Sequence, residues 1–506
     1  MDHSTMSSTL TLSAAGAILL LLWLTFRGKA QALPYPPGPK GLPIIGNALD
    51  IDPKAPQLTY AEWGKTYGDI VYSRIFGKGF LIVNSDKAAR RLADKRSAIY
   101  SDRPSFPLYK LFGIDRMTGL LKYGDEWKTH RKLFNLSLRP EVVAQYHDLY
   151  LSNAHRLLQN LQRDGCKLFE NIRLFSGALA LELTYGRKVE DEDDSTLKLA
   201  DDAITLLNDG TSLEKAGILL TFPILRHFPS WFPGLGVKNE ALRCKKLIST
   251  MSDVPFSDAK GRLESGVLQQ CLLSDFLNHG DVEEAAAKHA TAGVYLAGAE
   301  TTASTLECLI LALLLYPDVQ AKIHAELDAV VGKGNLPTFA DRAHLPYLQA
   351  VLYETMRWCP VLPLGLPHAT TTSDVYEGYH IPKDCIVLFN VWAMSRDFSN
   401  PEDFDPGRHL ASDGKLAPQA KQNNTIFFGF GRRFCPGHYF ADNALWAAAA
   451  VLLSALRFEN PRDSAGNIIQ VKPKFTHVSI TSRPMPFECS ITTRIRKADR
   501  QRQNVT

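Results

Sequence analysis

The alternation of apolar and polar positions changes character several times along the chain. Near the start, Leu10 to Phe26 is a largely apolar run, closed at once by Arg27 and Lys29. It is slightly short of the roughly 20 residues that cross a bilayer, and flanking Thr and Gly extend it. Positive charge on its C-terminal side predicts that this side faces the cytoplasm. The run therefore reads as an uncleaved signal anchor. A cleaved signal peptide is the alternative, but Met1-Asp2-His3 supplies no basic start. The proline-rich stretch Leu33 to Pro43 follows. Proline fixes φ, so the stretch predicts a short, stiff spacer.

Beyond the spacer, apolar and β-branched residues from Ile70 to Val83 flank Gly77-Lys78-Gly79 and predict a hairpin. A weaker strand signal returns at Asp384 to Asn390. Arg139 to Ile248 is mostly helical in period, with proline breaks such as Phe228 to Pro233. Glu283 to Leu315 predicts a long helix that is apolar on nearly all sides, which means buried. Its centre, Ala297-Gly298-Ala299-Glu300-Thr301-Thr302, is too polar for a membrane span. Another helix follows Leu345-Pro346-Tyr347, and an alanine-rich helical stretch begins at Tyr439. Arg494 to Thr506 is a basic, polar tail that predicts fraying. The organisation is an anchor (1–30), a linker (31–46), one large body (47–493) and the tail (494–506).

Composition narrows the function by exclusion. The 506 residues are 45% hydrophobic and 22% charged, with a formal net charge of +4. That balance carries no nucleic-acid footprint. The eight cysteines are scattered singly, without a C-x-x-C pair, so neither a zinc site nor a disulfide framework is indicated. Such usage fits a reducing compartment. Gly332-Lys333-Gly334 begins a G-x-G, but Pro337 stands where a third glycine is needed. It is not a dinucleotide loop. The sequons at Asn135, Asn423 and Asn504 are chance matches if the anchor is oriented as predicted.

The candidate chemistry centres on Phe428-Gly429-Phe430-Gly431-Arg432-Arg433-Phe434-Cys435-Pro436-Gly437. A cysteine just before a helix sits near backbone N–H groups that favour negative charge. A metal at that sulfur would deprotonate it outright. Gly431 permits a left-handed turn, and Gly437 permits close approach of a flat ligand. Arg433 suits carboxylate recognition. Together they sketch a thiolate beneath a flat, carboxylate-bearing cofactor, which means haem. The pattern F-x-x-G-x-R-x-C-x-G has a chance frequency on the order of one in several thousand. It resembles the haem-binding loop of the cytochromes P-450, the haem-thiolate monooxygenases.

That resemblance extends along nearly the whole chain. It implies Cys435 as axial ligand and Trp127 with Arg131, a W-x-x-x-R pair on one helical face, as holders of a haem propionate. His368 matches another propionate position, where the family often carries arginine. Ala297 to Thr302 matches A/G-G-x-D/E-T-T, implying proton delivery to dioxygen through Thr301 with Glu300 as relay acid. Taken alone, Thr301 would be expected to bond back to its own helix. Glu354, Arg357 and Arg408 match a buried three-way ion pair. Phe106 to Phe112 corresponds to a loop over the haem, while Leu362 to Leu366 and Phe475 to Ile480 are expected to wall the pocket.

The implied fold is mainly α with small β-sheets. Expected partners are an NADPH-dependent cytochrome P-450 reductase, docking near Lys128, Lys132 and Arg432, the endoplasmic reticulum membrane, and an apolar small molecule. Asn400 to Arg408, Phe427 to Phe440 and Arg483 to Phe487 are similar to fungal microsomal members that oxidise terpenoids, polyketides and indole amines. Xenobiotic oxidation, a haem-thiolate isomerase or dehydratase, and a non-catalytic haem protein remain the alternatives.

Overall fold

Proline opens many of the helices. Pro56, Pro107, Pro140, Pro317 and Pro346 each stand at the first helical position, where the missing N–H leaves no bond unmade. The computed structural model describes residues 33–189, 194–210, 228, 230, 236–267, 270–279, 282–476 and 480–494. The anchor run Leu10–Phe26, most of Phe222–Pro233, residues 477–479 and the tail from 495 onward lie outside them.

The longer helices are α1 (Pro56–Tyr67), α2 (Asp125–Ser137), α3 (His147–Arg163), α4 (Leu168–Tyr185), α5 (Ser195–Gly210), α6 (Val237–Glu264), α7 (Glu284–Leu315), α8 (Pro317–Val330), α9 (Pro346–Trp358) and α10 (His438–Ala455). The strands are β1 (Ile70–Ile75), β2 (Lys78–Val83), β3 (His368–Ala369), β4 (Asp374–Tyr376), β5 (Tyr379–Ile381), β6 (Ile386–Phe389), β7 (Leu456–Glu459), β8 (Phe475–Thr476), β9 (Arg483–Pro484) and β10 (Ser490–Thr493). The fold is mainly helical with small sheets, as expected. The largest sheet has the order β1-β2-β6-β3.

The expected hairpin forms, with Ile70 opposite Val83 and Ile75 opposite Lys78. Its turn is Phe76-Gly77, both at positive φ (48° and 76°). Two left-handed residues match the twist of the strands they join. Lys78 and Gly79 belong to the strand, not to the turn. Phe106–Phe112 departs from expectation. It is not a loop but a short helix from Pro107 to Phe112. Pro107 starts it, and Leu108 and Phe112, four apart on one face, are buried in the main core. Phe112 also sits over Gly210, where an added Cβ would collide with its ring.

The core is built around α7, whose side chains from Leu306 to Leu314 are almost all buried with α3, α4 and α10. Each fully buried leucine there contributes about 1.5–3 kcal/mol. The helix is long and apolar enough to cross a membrane, yet 72% of its most apolar stretch is buried inside the protein. It is a core helix. Pro317 ends it and opens α8. The start of α9 is completed by Glu326 of α8, whose carboxylate accepts from the Tyr347 N–H (2.7 Å) and the Leu348 N–H (2.9 Å).

The buried ion group exists and is larger than expected. Glu354 is fully buried. It takes two bonds from Arg357 (2.8 and 2.9 Å), a longer one from Arg408 (3.3 Å), one from the Asp405 N–H (2.8 Å) and one from His409 Nε2 (3.0 Å). His409 carries no sequence signal of its own. Arg357 also donates to the Pro401 (2.7 Å) and Asp403 (2.8 Å) carbonyls, tying α9 to the Asn400–Arg408 stretch. Burial works to raise the Glu354 carboxyl, but His409, Arg357 and the Asp405 N–H hold it below its ordinary value. A depressed carboxyl contributes stability above its unfolded pKa and loses it as pH falls through the folded one. Glu354→Ala should therefore cost roughly 3–5 kcal/mol at neutral pH. The cost should shrink below about pH 4, as read by urea denaturation.

Candidate active site

The Phe428–Gly437 loop is fixed by its backbone. The Cys435 N–H donates to the Phe428 carbonyl (2.8 Å). Gly431 lies at φ 55°, and its N–H donates to Asp94 (2.7 Å). A Cβ there would lie 2.0 Å from the Ala93 carbonyl oxygen, so only glycine permits this approach. With the main chain occupied, the Cys435 side chain borders a cavity of about 450 Å³. Burial pushes its thiol up, opposed by the Gly437 N–H and the Arg131 guanidinium. A Cβ at Gly437 would meet nothing closer than the sulfur itself, at 3.9 Å.

Beside the sulfur, the structure gathers three guanidiniums. Arg131 donates to the Phe434 carbonyl (2.8 Å) and lies 5.9 Å from the Trp127 ring centre. Arg433 stacks 4.5 Å from the same ring, and its Nε donates to the Ser101 carbonyl (2.7 Å). Both terminal nitrogens of Arg433 are buried without a hydrogen-bond partner among the described residues. The third is Arg103, which no pattern in the sequence singled out. It is buried and donates to the Gly119 (2.7 Å), Leu366 (2.8 Å) and Pro367 (2.7 Å) carbonyls. Burial, with Arg103 next, lowers Arg433 to about 9, and burial lowers Arg103 to about 10. Both remain cations at neutral pH. A cluster of buried cations with idle donors calls for an anion of matching shape.

His368 completes the group from β3. Its Nδ1 lies 2.7 Å from the Tyr100 carbonyl, which can only accept, so Nδ1 carries a proton. Burial and then Arg103 hold the imidazole well below its ordinary pKa. It is neutral here, and Nε2 must gain a second proton before it donates to a carboxylate.

Across the cavity, α7 presents Gly298, Glu300, Thr301, Thr302 and Thr305. The Thr301 hydroxyl donates back to the Ala297 carbonyl (2.9 Å), and Glu300 accepts from the Thr481 hydroxyl (2.9 Å). Thr302, which sequence reasoning passed over, has a buried hydroxyl with no partner among the described residues. Leu362, Gly365 and Leu366 line the cavity as expected, and Ile480 with Thr481 forms part of the wall expected from Phe475 to Ile480. Phe475 instead packs on Trp358. The segment expected at Phe106–Phe112 is replaced by Ile114, Met117 and Leu120, just downstream.

The cytochrome P450 family profile matches residues 36–487. The chain belongs to the cytochrome P450 family. It is 37% identical to cytochrome P450 monooxygenase 208 of Postia placenta over 97% of both chains. It is 36% identical to a cytochrome P450 monooxygenase of Armillaria gallica over 95% of this chain and 96% of that one. It is 35% identical to cytochrome P450 monooxygenase COX2 of Coprinopsis cinerea over 95% and 93%. This P450 is accordingly a haem-thiolate monooxygenase that uses dioxygen and electrons supplied by a redox partner. The idle Arg433 donors, the open ground above Gly437 and the sulfur at the cavity edge all fit a haem with its two carboxylates.

Replacing Arg433 by methionine keeps packing on Trp127 but removes a buried charge. Arg433→Met should stabilise the haem-free protein by about 1–3 kcal/mol. It should weaken haem retention by tenfold or more, about 1.5–3 kcal/mol for the lost charged bonds. Thermal melts of the haem-free protein and the haem-to-protein absorbance ratio after gel filtration report the two effects.

Proposed function

We propose that this P450 hydroxylates an apolar small molecule of the terpenoid or polyketide class in fungal secondary metabolism, with Cys435 as the residue that would hold the haem iron. The observation that carries this reading is the cavity itself. Its lining includes Cys435, Glu300 and Thr301 together with the apolar side chains of Ile114, Met117, Phe134, Ile204 and Val361. Such walls bind by shape and by exclusion of water, and offer little to a charged substrate.

Bound haem supplies the reductive activation of dioxygen and the oxygen transfer. The chain's own residues supply the rest. The Gly437 N–H and Arg131 favour the thiolate form of Cys435. Arg433 and Arg131, stacked on Trp127, orient the haem carboxylates, and His368 joins them once doubly protonated. Thr301 releases its bond to the Ala297 carbonyl and turns its hydroxyl toward the cavity, while Glu300 returns the proton it passes on. Leu362, Leu366 and Ile480 hold the substrate and keep bulk water away.

Electrons arrive from an NADPH-dependent reductase at the face carrying Lys128, Lys132 and Arg432. Lys128 pairs with Asp125 (2.9 Å) at the surface, and Arg432 bonds to the Tyr123 hydroxyl. Leu10–Phe26 anchors the chain to the endoplasmic reticulum membrane with the catalytic body cytosolic.

Membranes carrying this P450 and a reductase should convert members of a terpenoid and polyketide panel to products bearing one added oxygen, only with NADPH present. Conversion restricted to small charged compounds would contradict the substrate reading. In the same assay Thr301→Val should cut product formation by about a hundredfold while NADPH consumption falls far less. Equal losses of both would remove the proton-handling role.

A further inference from the structure

Glu307 is a second carboxyl on α7 that the relay just described does not use. It lies seven residues beyond Glu300, two helical turns and about 10 Å further on, on the same face. It is only 1% exposed, and neither oxygen has a hydrogen-bond partner among the described residues. Its nearest cation is Arg173 of α4, whose Nε stands 3.8 Å from Oε1 and also lacks a hydrogen bond. A structural ion pair in this protein looks different: Glu354 and Arg357 meet at 2.8 and 2.9 Å with every neighbour engaged.

Among the described residues, the charged groups that face Glu307 are Arg173 from α4, Arg483 from β9 and Glu300 from its own helix. The neighbouring Cys308 thiol also senses its charge. Asp201 of α5 reaches the surface and, among the described residues, faces the same Arg173, Arg483 and Glu300 together with Asp202 of its own helix; partial desolvation raises its carboxyl too. Arg173 itself is 37% exposed. Among the described residues the cluster thus runs from solvent to the cavity wall, with the four carboxyls of Asp201, Asp202, Glu300 and Glu307 set against the two guanidiniums of Arg173 and Arg483. An excess carboxyl in a desolvated setting retains a proton, and the carboxyl without donors retains it most readily. That carboxyl is Glu307, which burial raises to about 7 against the pull of Arg173 and Arg483.

We propose that Asp201, Arg173 and Glu307 form a proton inlet that reloads Glu300 from solvent, with Glu307 storing the proton between turnovers. The inference rests on Glu300 acting as the relay acid. A proton taken up at Asp201 passes through water molecules to Glu307, and through water again across the roughly 10 Å to Glu300, where it replaces the one given away; Arg173 keeps its own protons and sets the charge at Glu307. Only O–H bonds form and break, and no electron moves. Glu307 is a positioning residue, since it does not line the cavity.

The test uses the full-length holoenzyme in membranes with reductase. Infrared difference spectra across neutral pH should show a protonated carboxyl that is lost with a midpoint near pH 7 and is absent from Glu307→Gln. The store is full below that midpoint and empty above it, so product formed per NADPH should fall as pH rises through it. In Glu307→Gln that yield should be severalfold lower at acidic pH, and its pH dependence should be flat. The solvent isotope effect on product formation should grow. A variant that keeps the wild-type pH dependence and isotope effect makes Glu307 a packing residue and overturns the proposal. Should Glu307→Gln fail to bind haem, Arg173→Gln serves instead. Removing the cation must move the infrared midpoint to higher pH, and an unmoved midpoint is equally fatal. Glu300→Gln separates the two levels. If it leaves the yield per NADPH intact, the relay itself is wrong. If it lowers the yield and Glu307→Gln does not, only the inlet is wrong.

Discussion

The Phe428–Gly437 loop spends much of its backbone polarity on the protein around it, and this leaves the Cys435 sulfur and the idle Arg433 nitrogens as its chemical offering to the cavity. The Cys435 N–H turns back to Phe428, Gly431 is pressed against Ala93 and bonded to Asp94, and the Phe434 carbonyl is taken by Arg131. A ligand on such a loop is preorganised, because its position is set before any metal arrives. The short helical stretch Arg90–Lys95 is therefore part of the site's support, although it carries no chemistry.

Charge is distributed unevenly about that sulfur. Arg103, Arg131 and Arg433 line one cavity, Arg433 with two donors to spare, while the carboxyls of Glu300 and Glu307 lie on α7. The cationic side suits an anion that stays bound. The acidic side suits a proton that moves, since burial raises the Glu307 carboxyl toward neutrality, where a group gives and takes protons readily. Apolar side chains such as Ile114, Met117 and Val361 line much of the same cavity. The Glu354 group, far more tightly bonded than Glu307 and Arg173, fixes α9 to the Asn400–Arg408 stretch and so braces the floor on which the loop rests.

Much of this was legible in the sequence, for identifiable reasons. Cys435, Gly431, Arg433, Trp127 and Arg131 lie in short local patterns; the structure brings all but Gly431 to one cavity, and Gly431 holds the loop against Ala93. The long helix was visible because apolar residues continue around its whole circumference. Phe106–Phe112 was misread because aromatic content says little about backbone state, and Pro107 as a helix opener was overlooked. Arg103, His409 and Glu307 were missed because their roles exist only in three dimensions. Each is an ordinary charged residue until folding strips its water. What marks them is burial together with the partners they find or lack, which no spacing rule encodes.

The account stands or falls on iron bound by the Cys435 sulfur. The direct measurement is the absorption spectrum of the reduced, purified protein under carbon monoxide, for the wild type and for Cys435→Ala. The account predicts the long-wavelength Soret band of thiolate-ligated haem in the wild type and its loss in the variant. A wild type without that band, or a variant that retains it, would contradict the account.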